Sequence, residues 1–173
     1  ATISIGIAVF PTLDYDRIHI LENALKALDH AAFFGPDVAV EFDAVSLNIS
    51  GDPLYQAGAL AAEAEEYPQA LQLDPDNVNV HNSLGVCYGL MEDWDRALAA
   101  FSAARRIDPA EVMPVYNTGV IHMLREHTDS ALEHFLKAAE KEPDIFEALF
   151  QIGRIYLEKG AAESAVPYLE RAA

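Results

Sequence analysis

The sequence has a single cysteine, Cys87, and no long uninterrupted apolar run. One cysteine excludes an internal disulfide and a cysteine-based metal cluster, and it is typical of a reducing compartment. No apolar stretch is long enough to span a membrane. The apolar first ten residues lack the preceding basic residues and the cleavage site of a signal peptide. We therefore expect a cytoplasmic protein.

Positive charge is also scarce. Eleven Lys and Arg residues oppose 28 Asp and Glu residues, which gives a formal net charge of −17 at pH 7. Such a surface repels nucleic-acid phosphates and anionic lipid, so we expect neither nucleic acid nor a membrane as a partner. A basic or apolar partner is favoured instead.

The chain lacks the residue patterns of a catalytic or metal site. No two of its six histidines are three or four residues apart, and no acid–base pair, Ser–His arrangement or phosphate-binding glycine loop emerges. His122 takes the place that Tyr88 holds earlier in the chain, so packing is its expected role. His134 is expected to face solvent. We predict no catalytic residue, no metal and no cofactor.

What the sequence has in abundance is internal repetition with one constant period. Three residue types keep this period independently: Gly85, Gly119 and Gly153; Ala97, Ala131 and Ala165; Pro75, Pro109 and Pro143. A repeat of this length buries its apolar face only by stacking on its neighbours. The small residues let the two helices of a hairpin approach closely, and the proline ends the second helix.

Large residues keep the same period beside the small ones, such as Tyr88 and Phe101, then Phe135, then Tyr156 and Leu169. These residues at these spacings resemble the tetratricopeptide repeat family, over 78–173 strongly and over 44–77 weakly. The resemblance implies a mainly α protein with an α–α superhelix of about four helical hairpins. The predicted repeats are 44–77, 78–111, 112–145 and a truncated 146–173.

The first predicted repeat departs from the pattern. It keeps Tyr67 and Ala70, but Glu63 stands at a small-residue position, and Pro53 and Pro68 fall inside the expected helices. A proline in an unperturbed helix costs roughly 3 kcal/mol, so we expect a distorted and poorly ordered first hairpin. Alternatively, Asp52-Pro53 caps and starts a helix. In the last repeat, Pro167 raises the same question.

Residues 1–43 predict a β-α-β segment that precedes the repeats. Residues 2–10 and 37–43 alternate like strands, and residues 18–34 carry apolar residues such as Leu21 and Leu25 at helical spacing. A segment of this size has too little surface to bury alone. We therefore expect it either to belong to something larger or to pack on the helices that follow.

This segment carries a second family resemblance. Residues 4–8 (SIGIA), followed by Ala24, Ala27, Leu28, Ala31 and Gly35, are similar to the C-terminal part of a GGDEF-type diguanylate cyclase domain. The polar positions of the family's helix motif are replaced here by Leu25, Asp29, Ala32, Pro36 and Asp37, and the chain has no Gly-Gly pair. The resemblance thus implies a degenerate remnant or a fragment of that domain. An unrelated strand–helix–strand is the alternative.

The repeat resemblance places ligands in a concave groove lined by the first helix of each hairpin. Its groove positions correspond here to Asn48, Asp52, Asn79, Asn82, Tyr116, Asn117, Met123, Phe150, Gln151 and Arg154. The amides can bond an extended peptide backbone, and the aromatic residues can accept apolar side chains. Lysine is missing from these positions, so the family's clamp for a peptide C-terminal carboxylate is not expected.

These observations predict a non-enzymatic scaffold or adaptor that binds a protein or peptide partner in the groove. The upstream resemblance implies a bacterial signalling context. One alternative is the C-terminal fragment of a diguanylate cyclase that its repeats regulate. Another is a self-association module that forms a homo-oligomer.

Overall fold

A computed structural model describes residues 3–9, 19–32, 37–43 and 60–173 of the chain. In that part of the chain, eight helices follow or flank two short strands. The predicted mainly α fold with a short β segment at its start is confirmed. The chain divides into two compact units, Ala1–Glu92 and Asp93–Ala173, which are described in turn.

The first unit begins with a parallel β-α-β arrangement. Strand β1 (Ile5–Ile7) pairs with strand β2 (Ala39–Glu41), with Ile5 opposite Ala39, and helix α1 (Ile20–Ala32) packs on both strands. Parallel neighbours need a crossover connection, and α1 supplies it.

The apolar residues that predict α1 are not the ones it buries. Leu21 is 71% exposed and Leu25 is 53% exposed, whereas Ala27 and Ala31 are fully buried. The reason is the close approach of the helix to β1: a Cβ built on Gly6 would lie 2.0 Å from the Ala24 carbonyl oxygen. The buried face of α1 carries Ala27 and Ala31 together with Asn23, Lys26 and His30.

Two helices complete the first unit: α2 (Leu60–Leu73) and α3 (Val78–Leu90). The side chain of Asn77 caps α3 by accepting a hydrogen bond from the Val80 N–H. One core joins the β-α-β segment to both helices; its members are Ala27, Phe42, Tyr67, Ala70, Val80, Leu84 and Cys87. The segment therefore packs on the helices that follow it, which was one of the two alternatives predicted from the sequence.

A buried ion pair reinforces this packing. Lys26 Nζ lies 2.8 Å from both carboxylate oxygens of Glu66, and the two side chains are only 11% and 18% exposed. Lys26 also lies 3.4 Å from Glu22, one turn earlier on α1. Because Lys26 and Glu66 are distant in the sequence, their contact links α1 to α2.

The prolines within helices have a mixed outcome. Helix α2 runs through Pro68, which is exposed, and helix α8 (Ala162–Arg171) runs through Pro167. Helical structure therefore continues at both positions. Pro53 and the predicted first helix of the first repeat lie outside the described residues, as does the predicted boundary between residues 43 and 44. The expected disorder of that hairpin stays a prediction.

The second unit consists of helices alone. They are α4 (Trp94–Ile107), α5 (Met113–Leu124), α6 (Thr128–Lys141), α7 (Phe146–Glu158) and α8. Helices α5 and α6 pack together as one hairpin and α7 and α8 as the next, while α6 also contacts α7. The core contains Val112, Val115, Ala131, Phe135, Ala138, Ile145, Ala148, Ile152 and Ile155.

The repeating glycines explain how these hairpins pack. A Cβ on Gly119 would lie 2.7 Å from the Phe135 ring, and one on Gly153 would lie 2.5 Å from the Leu169 side chain. Both distances are too short for a side chain. The predicted contact of a small residue with a large one is therefore confirmed in both hairpins.

The turns between helices keep the period in their backbone angles. Glu92, Glu126 and Gly160 occupy equivalent places in successive repeats, and their φ values are 60°, 62° and 72°. After α5, the Glu126 N–H donates to the Met123 carbonyl and the His127 N–H donates to the His122 carbonyl. This is the Schellman motif, in which a left-handed residue satisfies the last carbonyls of a helix.

Candidate partner-binding site

The structure places the ten predicted groove residues in three groups. Asn48 and Asp52 lie outside the described residues. Asn79, which is exposed, and Asn82, which is half-buried, lie on α3 of the first unit. The remaining six lie on α5 and α7 of the second unit: Tyr116, Asn117, Met123, Phe150, Gln151 and Arg154.

Side chains of this last group bridge the first helices of two neighbouring repeats. The side chain of Gln151 on α7 lies close enough to the Tyr116 hydroxyl on α5 to influence its pKa. One turn further along α7, Arg154 Nη2 lies 2.7 Å from Met123 Sδ. These two contacts bring four predicted residues together in pairs across α5 and α7, and we call the surface they form the α5–α7 groove. Asn117 is half-buried on α5, and Phe150 is exposed on α7.

Tyr116 is held as a neutral phenol in this groove. Burial raises the pKa of Tyr116 above its usual 10, and the nearby Glu147 carboxylate adds to the rise. The side chain of Gln151 and the positive charge of Arg154 oppose it. The Tyr116 ring also packs against the buried Phe135 ring, with centroids 5.4 Å apart. Its hydroxyl can thus donate or accept a hydrogen bond at physiological pH.

Two polar atoms in the groove are buried without a hydrogen-bond partner among the described residues: Gln151 Oε1 and Arg154 Nε. Arg154 Nε does lie 3.5 Å from a Glu158 oxygen, an ion pair longer than a good hydrogen bond. A buried polar atom left unpaired costs about 1–3 kcal/mol. One acceptor and one donor therefore stand unsatisfied about one turn apart on α7.

An exposed aromatic pair adjoins these atoms. The rings of Phe146 and Phe150 are stacked, with centroids 6.0 Å apart and planes 15° apart, and they are 56% and 43% exposed. Phe146 was not predicted, because it lies just outside the positions that the family resemblance marks. Its place one helical turn before Phe150 was the signal that could have identified it.

Three histidines come together at the turn between α5 and α6. The His122 ring centroid lies 5.1 Å from that of His134 and 6.1 Å from that of His127. Burial lowers the pKa of His122, and the charges of His134, His127 and Arg125 lower it further, against the influence of Glu133. His122 Nδ1 is buried without a hydrogen-bond partner in the described part of the chain.

The expectation that His134 faces solvent is therefore wrong. Its side chain is half-buried beside His122, and its Nδ1 lies 2.9 Å from the Ser130 carbonyl oxygen. The two histidines lie on different helices, so only the hairpin creates their contact. Within residues 3–9, 19–32, 37–43 and 60–173, no three His, Cys, Asp or Glu side chains are arranged to hold a metal ion. Nor does any helix there have the length and apolar character to cross a bilayer.

Comparison with protein families shows which family models match this chain. A family model described as tetratricopeptide repeat matches residues 84–139 and 116–173, which together are just over half of the 173 residues. The chain belongs to the tetratricopeptide repeat family. A second model, described as TPR repeat, matches residues 51–91 and so includes part of the first predicted repeat with its irregular prolines.

Solved structures of similar fold include tetratricopeptide repeat proteins. The crystal structure of MamA matches with a TM-score of 0.66 at 18% identity, covering 93% of this chain and 94% of MamA. A MamA RS-1 double mutant matches at 0.65 and 19% identity, covering 90% and 85%. The first TPR of Spaghetti (RPAP3), bound to the HSP90 peptide SRMEEVD, matches at 0.62 and 17% identity, covering 68% and 94%. Identities this low support a shared fold alone. No curated protein matches the sequence.

Proposed function

We propose that the chain is a non-enzymatic interaction module that binds an extended peptide of a partner protein in the α5–α7 groove. The observation that carries this proposal is the exposed, stacked aromatic pair of Phe146 and Phe150 on α7, the helix that also carries Gln151 and Arg154. An apolar side chain of an extended peptide can cover the two rings.

The exposed side chains of α7 favour a partner that is apolar and basic. Phe146 and Phe150 offer exposed aromatic area to an apolar side chain of the peptide. The carboxylates of Glu147 and Glu158, which are exposed on the same helix, favour a neighbouring basic side chain.

One protein of similar fold binds a peptide, which supports peptide binding here, but that peptide is acidic, unlike the partner that we expect for this chain. The RPAP3 domain is bound to SRMEEVD, a peptide that carries three acidic residues and one basic residue. In the present chain Arg154 is the one cation among the predicted groove residues. We therefore expect its preferred peptides to be less acidic than SRMEEVD.

Selection from a displayed library of random peptides tests this proposal. We expect enriched peptides to combine apolar and basic residues. Their affinity for the Phe146→Ala/Phe150→Ala variant, measured by fluorescence anisotropy, should be at least tenfold weaker, because both exposed rings are lost. A Val166→Ala variant on α8, which removes an exposed apolar side chain outside the predicted groove, serves as the control. Enriched peptides that bind wild type and double variant equally would place the site elsewhere.

A second candidate function follows from the GGDEF resemblance, which stays a prediction. It makes the chain part of a diguanylate cyclase, or of its degenerate relative, in bacterial cyclic di-GMP signalling. The observation that favours it is the tight contact of Gly6 with α1, since the residues matched to the family are packing residues. Incubation of the full-length native protein with GTP and Mg²⁺ tests the active form: product formation would support an active cyclase, and the absence of product would leave only the degenerate relative.

Self-association is a third candidate. The exposed apolar side chains of β1, Ile5 and Ile7, favour it because they lie on one face of the short sheet. Light scattering over a range of concentrations tests it, and a monomer at every concentration would contradict it.

A further inference from the structure

Seven of the nine cations in the second unit have a binding partner in the structure. They are Arg96, Arg125, Lys137, Lys141, Arg154, Lys159 and Arg171, which bind carboxylates, backbone carbonyls or a sulfur atom. Arg105 and Arg106 are the exceptions: within residues 60–173 neither has a hydrogen bond or an ion pair. In so acidic a chain, two adjacent guanidinium groups that no described residue pairs are unexpected.

Helix polarity explains why basic residues occur at this place but not why they stay unpaired. Arg105 and Arg106 lie in the last turn of α4, where positive charge complements the helix dipole. Lys141 lies in the last turn of α6, and its ammonium group donates to the Pro109 carbonyl. Both arginine side chains are exposed.

The two arginines line an open cavity of about 460 Å³. Its other lining residues are Ser102, Pro109 and Lys141, so the described lining contains three cations and no carboxylate. Its volume falls within the range of about 300–1,000 Å³ that is usual for small-molecule sites. The cavity lies between α4 and α6, the second helices of their repeats, and it shares no residue with the α5–α7 groove.

We propose that this cavity binds a small anion that carries two or more phosphate charges, such as a diphosphate group. Guanidinium forks match the tetrahedral oxygens of phosphate in pairs, and Lys141 and the Ser102 hydroxyl add further donors. Three positive charges complement a ligand with several negative charges.

Isothermal titration calorimetry with inorganic pyrophosphate, in a metal-free buffer without chelator, tests the proposal. We expect wild type to show one saturable site. The Arg105→Ala/Arg106→Ala variant should bind at least tenfold more weakly. The control is Arg125→Ala/Lys137→Ala, which removes the same charge from the same unit and should change the affinity less than twofold. Both variants replace surface side chains, and thermal unfolding checks that each stays folded.

Each remaining outcome overturns the proposal in a recognisable way. No saturable binding of pyrophosphate to wild type would remove the site. Equal weakening in both variants would show a general effect of net charge rather than a site at Arg105 and Arg106. Citrate binding as tight as pyrophosphate binding would show carboxylate recognition instead of phosphate recognition. None of these results depends on peptide binding in the α5–α7 groove, so the two proposals fail separately.

Discussion

The two compact units carry equal numbers of acidic residues but very different numbers of basic ones. Fourteen of the 28 Asp and Glu residues lie in each unit, whereas two of the 11 Lys and Arg residues lie in the first unit and nine in the second. The strong negative charge of the chain is therefore mainly a property of residues 1–92. An average over the whole sequence hides a second unit with enough cations to form local anion and carboxylate contacts.

The two units also differ in how their cores are assembled. The second unit repeats one contact, a glycine of one helix against a large side chain of the next, as Gly119 and Gly153 show. The first unit joins parts that are distant in sequence, as the pair of Lys26 and Glu66 shows. Local, repeated contacts form with a smaller loss of chain entropy than distant ones. We therefore expect the second unit to be the more robust of the two.

The largest effects should come from truncating the central aromatic side chain of each core. Phe135→Ala in the second unit and Tyr67→Ala in the first should each lower the free energy of unfolding by about 3–5 kcal/mol, because both side chains are fully buried. Hydrogen exchange then tests the division into units. Phe135→Ala should accelerate exchange in α5 and α6 and leave α1 protected. Equal acceleration throughout both units would show that they unfold as one.

A smaller loss is expected when the long-range ion pair of the first unit is broken. Lys26→Met leaves the Glu66 carboxylate largely buried without its cation, which should lower the stability by about 1–3 kcal/mol in denaturant unfolding. The matched variant Lys26→Met/Glu66→Leu should recover most of the loss, because an apolar pair needs no charge partner. If Lys26→Met unfolds like wild type, the ion pair of Lys26 with Glu66 adds nothing to stability.

The smallest effect should appear as a pH dependence confined to the second unit. Because the pKa of His122 is lower in the folded chain than its ordinary 6.5, the unfolded chain binds more protons below that pH. Stability should therefore fall as the pH drops through about 6.5 toward the folded pKa. His122→Tyr, which installs the residue found at Tyr88, should weaken this dependence in thermal unfolding at pH 7.5 and 5.5. His81→Gln, in the first unit, is the control and should leave it unchanged.

The sequence predicts the helices of the second unit well because their packing rule is local and repeated. Gly119 and Phe135 recur with their counterparts at fixed spacing, so the pattern of one repeat supports the prediction for the next. The buried face of α1 could not be predicted in this way. Leu21 and Leu25 have the helical spacing of a core face, but the approach of Gly6 to the helix backbone selects the alanine face instead.

The candidate site was predicted in part. Tyr116 and Gln151 were identified from their repeat positions, and the structure adds their proximity to each other. That no described residue pairs with Arg105 or Arg106 could not be predicted from the sequence, since it depends on which carboxylates the folded chain brings within reach. The contact of His122 with His134 has the same cause: it exists only after α5 and α6 form a hairpin.

The left-handed turns at Glu92, Glu126 and Gly160 have a consequence for how such a chain can change in length. Within the second unit, the turns at Glu126 and Gly160 each fix the direction of the following helix through one residue with positive φ. Adding or deleting a single residue there would move every later side chain around its helix axis and separate glycines from the rings they face. Adding one whole period of the sequence would restore every contact. The natural unit of growth for this array is thus the complete repeat.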